Sequence, residues 1–217
     1  MIVTGSLDMA KNRPSGIKKK SLVLSINPDN PQQRLIDRVV GVLEQGGLIS
    51  YPTDTFYGIG CDLYNKKGIQ VIYRLKNRPL KKPFSFVCDG LTEISRYGQV
   101  SNYAYKTMRR LLPGPYTFIL EGTRLVPKIM LTKRKTVGIR VPDNAISLAI
   151  VRTLGRPIIS TSAGYDDPHS IRETYGSHLD LVIDGGVLYP NPSSVVSLID
   201  GIPEVIREGK GDVSMFR

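Results

Sequence analysis

Hydroxyl and carboxylate side chains cluster in a short segment that follows an apolar, strand-like run. The segment covers residues 51–58 and reads YPTDTFYG, so Thr53 and Tyr57 come directly after the run at 48–51. The sheets of α/β proteins commonly bind ligands just beyond the ends of their strands. The segment therefore predicts a ligand-binding loop. The alternative is a turn that is only capped by its own Thr and Asp side chains.

Cationic side chains occur at the end of a predicted helix and within a predicted strand. Lys76 and Arg78 stand in KNRP at 76–79, and Arg140 stands in VGIRVP at 137–142. Arginine offers phosphate a planar fork, and lysine offers it a point charge. Because side chains alternate along a strand, Arg140 should point to the opposite face from its apolar neighbours. The two cations at the helix end could instead simply offset the helix dipole.

Small hydroxyls follow a further predicted strand and begin another. Ser160 and Ser162 stand in STSAG at 160–164, and Thr117 closes the Gly/Pro turn PGPYT at 113–117. Such hydroxyls and free backbone N–H groups can form a nest for an anion, although an ordinary strand-to-loop turn has the same composition. Taken together, these segments predict one positively charged cleft for a phosphate-bearing ligand, which is either a nucleotide or an RNA backbone.

Several well-known site motifs are missing from the sequence. It has no GxxxxGK[ST] loop, and the pair Gly58 and Gly60 lacks the third glycine of a dinucleotide fingerprint. With only two histidines and no Cys pair at ligand spacing, we predict no protein-bound metal. A hydrolase triad of Ser162, His169 and Asp166 can be drawn, but the G-x-S-x-G elbow is absent.

Composition and charge indicate a protein with a polyanionic partner. The 217 residues carry 30 Lys and Arg against 19 Asp and Glu, a net charge of +11, which attracts RNA or nucleotides. Two buried-looking cysteines, Cys61 and Cys88, are typical of a reducing compartment, so we expect a cytoplasmic protein without a membrane span. Residues 1–20 are basic and lack a signal-peptide core, which predicts a flexible arm before one domain at 21–217.

The pattern of apolar residues predicts how these side chains are positioned. A helix beginning near Asn30 and Pro31 and ending before Gly46 lies between two strands, and strands then alternate with helices before clustering towards the end. This order predicts an α/β fold with a single twisted, mixed sheet that is flanked by helices and has a concave basic surface. The predicted strands are 21–26, 48–51, 84–88, 116–120, 137–141, 157–161, 181–183, 195–199 and 204–207. The further predicted helices run through 69–75, 103–112 and 144–154.

Seven of these segments, in this order, resemble the YrdC/YciO family, whose synthase members make threonylcarbamoyl-adenylate for the modification of adenosine 37 in tRNA. The resemblance runs from about residue 21 to the end of the chain and looks most like the YciO branch. It is carried by YPTDTFYG at Tyr51, KNRP at Lys76, PGPYTFIL at Pro113, VGIRVP at Val137, STSAG at Ser160, SSVVSLID at Ser193 and VIREG at Val205.

The resemblance implies a role for each matching residue. Lys76 and Arg78 would be the central, catalytic cations, and both would also contact the nucleotide. The amino-acid substrate would lie near Thr53, Tyr57, Arg140, Ser160 and Ser194. ATP would lie near Thr117, Ser162 and Arg207.

The implied reaction uses ATP with Mg²⁺, L-threonine and bicarbonate. The sequence departs from the synthases at Gly164, where they carry the Asn of a Ser-x-Asn motif. A second interpretation therefore remains, namely a double-stranded RNA- or tRNA-binding protein of the same fold with weak or no synthase activity. Its sequence support is the net charge and the basic clusters at 81–82, 109–110 and 133–135.

Overall fold

A computed structural model describes residues 21–79, 84–132 and 134–216. The predicted arm at 1–20 and the basic residues Lys81, Lys82 and Lys133 lie outside the described residues. Among the described residues, every helix is too short or too polar to traverse a lipid bilayer.

The described residues form one mixed β-sheet of ten strands, in the order β1-β8-β2-β3-β7-β4-β6-β5-β9-β10. Parallel pairs join β1 to β8, β2 to β8, β4 to β6 and β5 to β9, and the other neighbours are antiparallel. The predicted mixed α/β sheet is confirmed. The strands are β1 (Leu22–Ser25), β2 (Ile49–Tyr51), β3 (Gly58–Asp62), β4 (Ser85–Val87), β5 (Tyr116–Glu121), β6 (Thr136–Arg140), β7 (Ile158–Ser162), β8 (Leu181–Asp184), β9 (Ser194–Ser197) and β10 (Glu204–Arg207).

Six α-helices flank the sheet within the described residues. Side chains of Asn65, Ser101, Asn144 and Asp167 cap four of them by accepting a backbone N–H of the first turn. The helices are α1 (Gln33–Glu44), α2 (Lys66–Leu75), α3 (Leu91–Tyr97), α4 (Asn102–Leu111), α5 (Ala145–Leu154) and α6 (Pro168–Tyr175).

Helix α1 begins two residues later than the start predicted at Asn30 and Pro31. The Asn27 side chain accepts hydrogen bonds from the backbone N–H groups of Asp29 and Asn30, which forms a turn that competes with the helix. The helix therefore begins at Gln33, and its N-cap Gln32 makes no side-chain cap bond.

Three elements, β3, α3 and α6, were not predicted from the sequence. The strand β3 reads GIGCD, and glycine is a poor strand former. Gly58 and Gly60 are needed because the ring of Tyr51 lies against them, and a Cβ on Gly58 would come 2.9 Å from that ring. Both missed helices are short, although Asp167 followed by Pro168 is a start signal for α6.

Two apolar layers lie on opposite faces of the sheet. The first layer is built by α1 and α5 against side chains such as Ile49, Tyr51 and Ile158. The second layer is built by α2, α3, α4 and α6 against side chains such as Ile159 and Phe118. Consecutive residues of one strand, such as Ile158 and Ile159, contact opposite layers because strand side chains alternate.

The first face is only partly covered by helices. Thr117 and Ile119 of β5 alternate with Tyr116, Phe118 and Leu120, which are buried in the second layer. Thr117 and Ile119 therefore belong to the same face as α1 and α5, yet they line an open cavity. The uncovered part of this face, over β4, β5, β6, β7 and β9, is where the candidate site lies.

Candidate functional site

The cavity on the uncovered part of the sheet has a volume of about 390 Å³. Its lining combines three guanidinium groups, eight side-chain hydroxyls and a few apolar groups. The guanidinium groups belong to Arg78, Arg140 and Arg207; the hydroxyls belong to Ser85, Thr117, Thr132, Thr136, Ser160, Thr161, Ser162 and Ser193; the remaining lining residues are Phe84, Ile119, Gly138 and Val195. A concave site with positive charge and many hydroxyl donors is suited to a phosphate-bearing ligand.

Strand alternation delivers most of these groups to the cavity. Thr136, Gly138 and Arg140 come from one face of β6, whereas Val137 and Ile139 between them are buried in the second layer. The orientation predicted for Arg140 is confirmed. At Gly138, a Cβ would lie 3.2 Å from the Ser85 hydroxyl, so the missing side chain leaves room in the cavity.

Arg140 is held by an ion pair with the loop at 51–58. Its Nη2 lies 2.8 Å from Oδ1 of Asp54 and donates to Oγ1 of Thr55 at 3.0 Å. The two paired side chains are 16% and 6% exposed, so the pair is largely desolvated and sensitive to the loss of either partner. Sequence reasoning did not single out Asp54, although a carboxylate within the predicted loop was the available signal.

Thr53 lies within this loop and stabilises its turn. Its Oγ1 accepts the backbone N–H of Thr55 at 3.0 Å and donates to the carbonyl of Phe56 at 2.6 Å. Thr53 is buried and is not one of the cavity-lining residues. It acts on the site through the loop that carries Asp54.

Arg207 reaches the cavity from β10 and is held by Ser193. Its Nη2 donates to the carbonyl and the hydroxyl of Ser193, at 2.7 and 3.1 Å, and that hydroxyl is 3.0 Å from Oγ1 of Thr117. Burial and then the charge of Arg140 lower the pKa of Arg207. Two guanidinium groups that repel each other across a cavity favour an anion between them.

Ser194 is turned away from the cavity, because it alternates with Ser193 and Val195, which line it. It is buried, its Oγ donates to the carbonyl of Gly211 at 2.5 Å, and it accepts the N–H of Gly209 at 3.0 Å. These bonds fasten the C-terminal segment, residues 208–213, beside the site. In the same segment, Lys210 Nζ donates to the carbonyl of Asp54 at 2.7 Å.

Ser160 and Ser162 line the cavity from β7, as predicted. Ser160 accepts a hydrogen bond from the Tyr51 hydroxyl at 2.6 Å, and burial raises the pKa of Tyr51 to about 12, so this hydroxyl stays a donor. Ser162 accepts the N–H of Gly164 at 3.1 Å. Gly164 has a φ of +85°, and a Cβ there would meet open space.

Arg78 and Lys76 diverge after the end of α2. The N–H of Asn77 bonds to the carbonyl of Arg74, and the N–H of Arg78 bonds to that of Tyr73, with Asn77 at a φ of 43°. This is a Schellman C-cap, which reverses the chain direction. Arg78 consequently reaches the cavity, where its guanidinium lies 5.3 Å from the ring centroid of Phe84.

Lys76 lies next to the cavity and not among its lining residues. Its Nζ donates to the carbonyl of Ala163 at 3.2 Å and to the hydroxyl of Tyr175 at 3.1 Å. It also lies 5.2 Å from the centroid of the Tyr175 ring. Lys76 therefore joins α2 to the loop that begins immediately after Ser162.

Tyr57 lies outside the cavity and joins two loops. Its buried hydroxyl donates to the carbonyl of Gly186 at 2.7 Å and accepts the N–H of Gly185 at 3.1 Å. Burial raises the pKa of this hydroxyl to about 12. Of the ten sequence-predicted site residues, the cavity brings together six: Arg78, Thr117, Arg140, Ser160, Ser162 and Arg207.

Comparisons with known proteins agree with this architecture. The family model for Sua5, YciO and YrdC proteins, described as "Telomere recombination", matches residues 41–209. YciO of Escherichia coli K12, described as uncharacterized, is 43% identical over 199 residues, which cover 88% of this chain and 97% of YciO. The crystal structure of E. coli YciO has a TM-score of 0.86 and covers 91% of this chain and 100% of its own.

Proteins described as threonylcarbamoyl-AMP synthases also match. A putative synthase of Methanocaldococcus jannaschii is 31% identical over 203 residues, which cover 89% of this chain and 95% of the synthase. P. abyssi Sua5 complexed with L-threonine shares the fold, with a TM-score of 0.81 and 24% identity over 87% of this chain and 58% of Sua5. The family model spans well over half of the sequence and YciO matches most of it, so the protein belongs to the Sua5/YciO/YrdC family.

Proposed function

We propose that the protein binds ATP and L-threonine in this cavity and makes threonylcarbamoyl-adenylate. The amine of threonine takes up CO₂ from bicarbonate to give a carbamate, and a carbamate oxygen attacks the α-phosphorus of ATP. The bond to the bridging oxygen breaks, and pyrophosphate leaves with the electron pair. The observation that carries this proposal is the convergence of three guanidinium groups and several hydroxyls in one cavity of a family that includes such synthases.

Positive charge and positioning are the main requirements of such an adenylyl transfer, as they are of other transfers at phosphorus. Arg78 and Arg207 would stabilise the phosphate oxygens, on which negative charge develops as pyrophosphate leaves. Thr117 and Ser162 would contact the nucleotide. Arg140, oriented by Asp54, would bind the carboxylate of threonine together with the Ser160 hydroxyl.

Lys76 would act at the loop that follows Ser162. Its ammonium donates a hydrogen bond to the carbonyl of Ala163, one residue after the lining residue Ser162. Binding of the ATP phosphates would compete for this charge, because a phosphate is a stronger partner for lysine than a neutral carbonyl.

Mg²⁺ would enter as part of the substrate. Within the described residues, no three His, Cys, Asp or Glu side chains come together to hold a metal ion. The carboxylate beside the cavity, Asp54, is already paired with Arg140. The phosphates of ATP and water would therefore supply the ligands of Mg²⁺, which suits its preference for retained waters.

The test is pyrophosphate release from ATP by the purified protein. Release is expected only when threonine, bicarbonate and ATP are all present, and Arg78→Ala and Lys76→Ala should each lower the rate at least about tenfold. The control is Arg152→Ala, an exposed arginine of α5, which should leave the rate unchanged. Release that does not depend on threonine would refute the proposal.

The family resemblance also implies a cellular role, and an alternative function remains. The product would serve the threonylcarbamoyl modification of tRNA adenosine 37, and the free, buried Cys61 and Cys88 suit a reducing cytoplasm. The competitor is an RNA-binding protein with weak or no synthase activity, favoured by the net charge of +11 and by Gly164. It predicts no threonine-dependent pyrophosphate together with salt-sensitive binding of RNA.

A further inference from the structure

Helix α4 presents an exposed surface in which cations and aromatic rings are interleaved. We call this surface the α4 outer face. It comprises the exposed residues Asn102, Tyr103, Tyr105, Lys106, Arg109 and Arg110. The two tyrosines are 39% and 45% exposed, so part of each ring is open to a ligand.

The α4 outer face is a fixed feature of the fold. The Ser101 side chain caps the helix, and Ala104, Thr107 and Met108 anchor its inner side in the second apolar layer. Residues three or four apart share a helix surface, so Tyr105 lies beside Arg109, and Lys106 lies between Tyr103 and Arg110. From Tyr103 to Arg110 the surface runs ~10.5 Å along the helix axis.

This surface lies on the far side of the sheet from the cavity. Ala104 and Met108 contact the layer that contains Phe118 and Ile139. The neighbours of those two strand residues, Thr117 and Arg140, point into the cavity. A ligand on the α4 outer face therefore cannot be the ligand of the cavity, and its binding goes beyond the proposed synthesis.

The chemistry of the surface selects a polyanion with planar groups. The helix contains no Asp or Glu, and within the described residues no ion pair engages Lys106, Arg109 or Arg110. Offsetting the helix dipole accounts for cations in the last turn. It does not account for Lys106 in the middle of the helix or for two exposed tyrosine rings.

We infer that the α4 outer face binds single-stranded RNA. Lys106, Arg109 and Arg110 would contact phosphates, and unpaired bases would stack on Tyr103 and Tyr105. A single strand fits better than a duplex, because the bases of a duplex are already stacked on one another and only its backbone would be reached. The partner is thus a loop or an unpaired stretch of RNA.

The test uses the full chain and fluorescent RNA of about 20 nucleotides, both as single-stranded oligo(U) and as a duplex, titrated between about 50 and 200 mM salt. One variant replaces Lys106, Arg109 and Arg110 with Gln. The control replaces three exposed arginines of α1 and α5, Arg34, Arg38 and Arg152, with Gln, which changes the net charge equally on the other side of the sheet. Circular dichroism verifies that both remain folded.

The α4 triple variant should lower the slope of log K against log salt by up to about 2 for the single strand, since each lost phosphate contact removes about 0.7. The control should keep the slope of the unmodified protein. Tyr105→Ala should weaken oligo(U) binding roughly five- to hundredfold, whereas Tyr105→Phe should retain it, because stacking needs the ring and not the hydroxyl.

Three results would overturn the inference. They are no oligo(U) binding at the lowest salt, equal losses in the α4 variant and in the control, and tighter binding of the duplex with no effect of Tyr105→Ala. None of these measurements involves ATP or threonine, so their outcome is independent of the pyrophosphate assay.

Discussion

The ion pair between Asp54 and Arg140 makes a quantitative prediction about stability. Removing one partner of a buried pair typically costs about 3–5 kcal/mol, because the other charge is left desolvated. In Asp54→Asn the amide oxygen can still accept a hydrogen bond, and Arg140 keeps its bond to Thr55 and 16% of its surface in water. We therefore expect a loss of about 1–3 kcal/mol in the free energy of unfolding.

The assay is urea unfolding followed by circular dichroism, with thermal unfolding as a second measure. For a chain of 217 residues, each kcal/mol corresponds to about 2–4 °C in Tm. Asp143→Asn is the matched control, because Asp143 is exposed and its removal should change stability by less than about 0.5 kcal/mol. In an Arg140→Met background, Asp54→Asn should cost far less, because the charge that it leaves unpaired is gone.

The reasoning fails if Asp54→Asn is no more destabilising than Asp143→Asn. It also fails if the loss is the same with and without Arg140, because the two side chains would then not be coupled. Little dependence on salt is expected, since a pair that is largely removed from water is poorly screened.

Three further predictions concern single residues. Burial raises the pKa of Glu93 from 4.5 to about 7, so the folded state binds the carboxyl proton more tightly than the unfolded state does. As the pH rises from 4.5 through 7, the free energy of unfolding of the unmodified protein should therefore fall by up to about 3 kcal/mol relative to that of Glu93→Gln. Urea unfolding at several pH values measures this difference. Gly164→Asn should increase threonine-dependent pyrophosphate release by up to about tenfold, because the side chain would enter open space and Asn tolerates the positive φ at this position. Gly164→Ala, which adds no amide, should not increase the rate. Equal rates for the two variants would contradict this prediction. Gly138→Val should abolish binding of a fluorescent ATP analogue while preserving the circular dichroism spectrum, because its methyl groups would enter the cavity beside Ser85 and Thr117.

The sequence predicted the sheet well because its strands carry a simple signal. Period-two alternation was enough to place the Arg140 side chain on the face opposite Ile139. The apolar spacing of α1 predicts an inner side made of Leu35, Ile36, Val39, Val40 and Leu43, and all of these are buried except Leu35, which is partly buried. The element missed in the sheet, β3, is the one whose glycines are required by a tertiary contact with Tyr51. Local propensity carries no information about such a contact.

The candidate site was predicted less completely, since motifs do not reveal side-chain direction. Lys76 and Arg78 are two positions apart in the sequence, yet the Schellman C-cap at Asn77 directs them to different neighbours. Ser194 and Tyr57 hydrogen-bond to backbone groups of loops that sequence reasoning could not bring near them. Asp54 could be assigned only once the sheet had placed it 2.8 Å from Arg140.

The parallel pairing of β5 with β9 has a consequence for the order in which the molecule is built. Thr117 of β5 pairs with Val195 of β9, which is synthesised much later, and Arg207 and Lys210 are synthesised after both. A nascent chain whose Arg207 has not yet left the ribosome has most of the strands of the sheet but only part of the positive charge that lines the cavity. The proposed ATP binding should therefore begin late in translation, and ribosome-stalled chains of increasing length would show the length at which it appears.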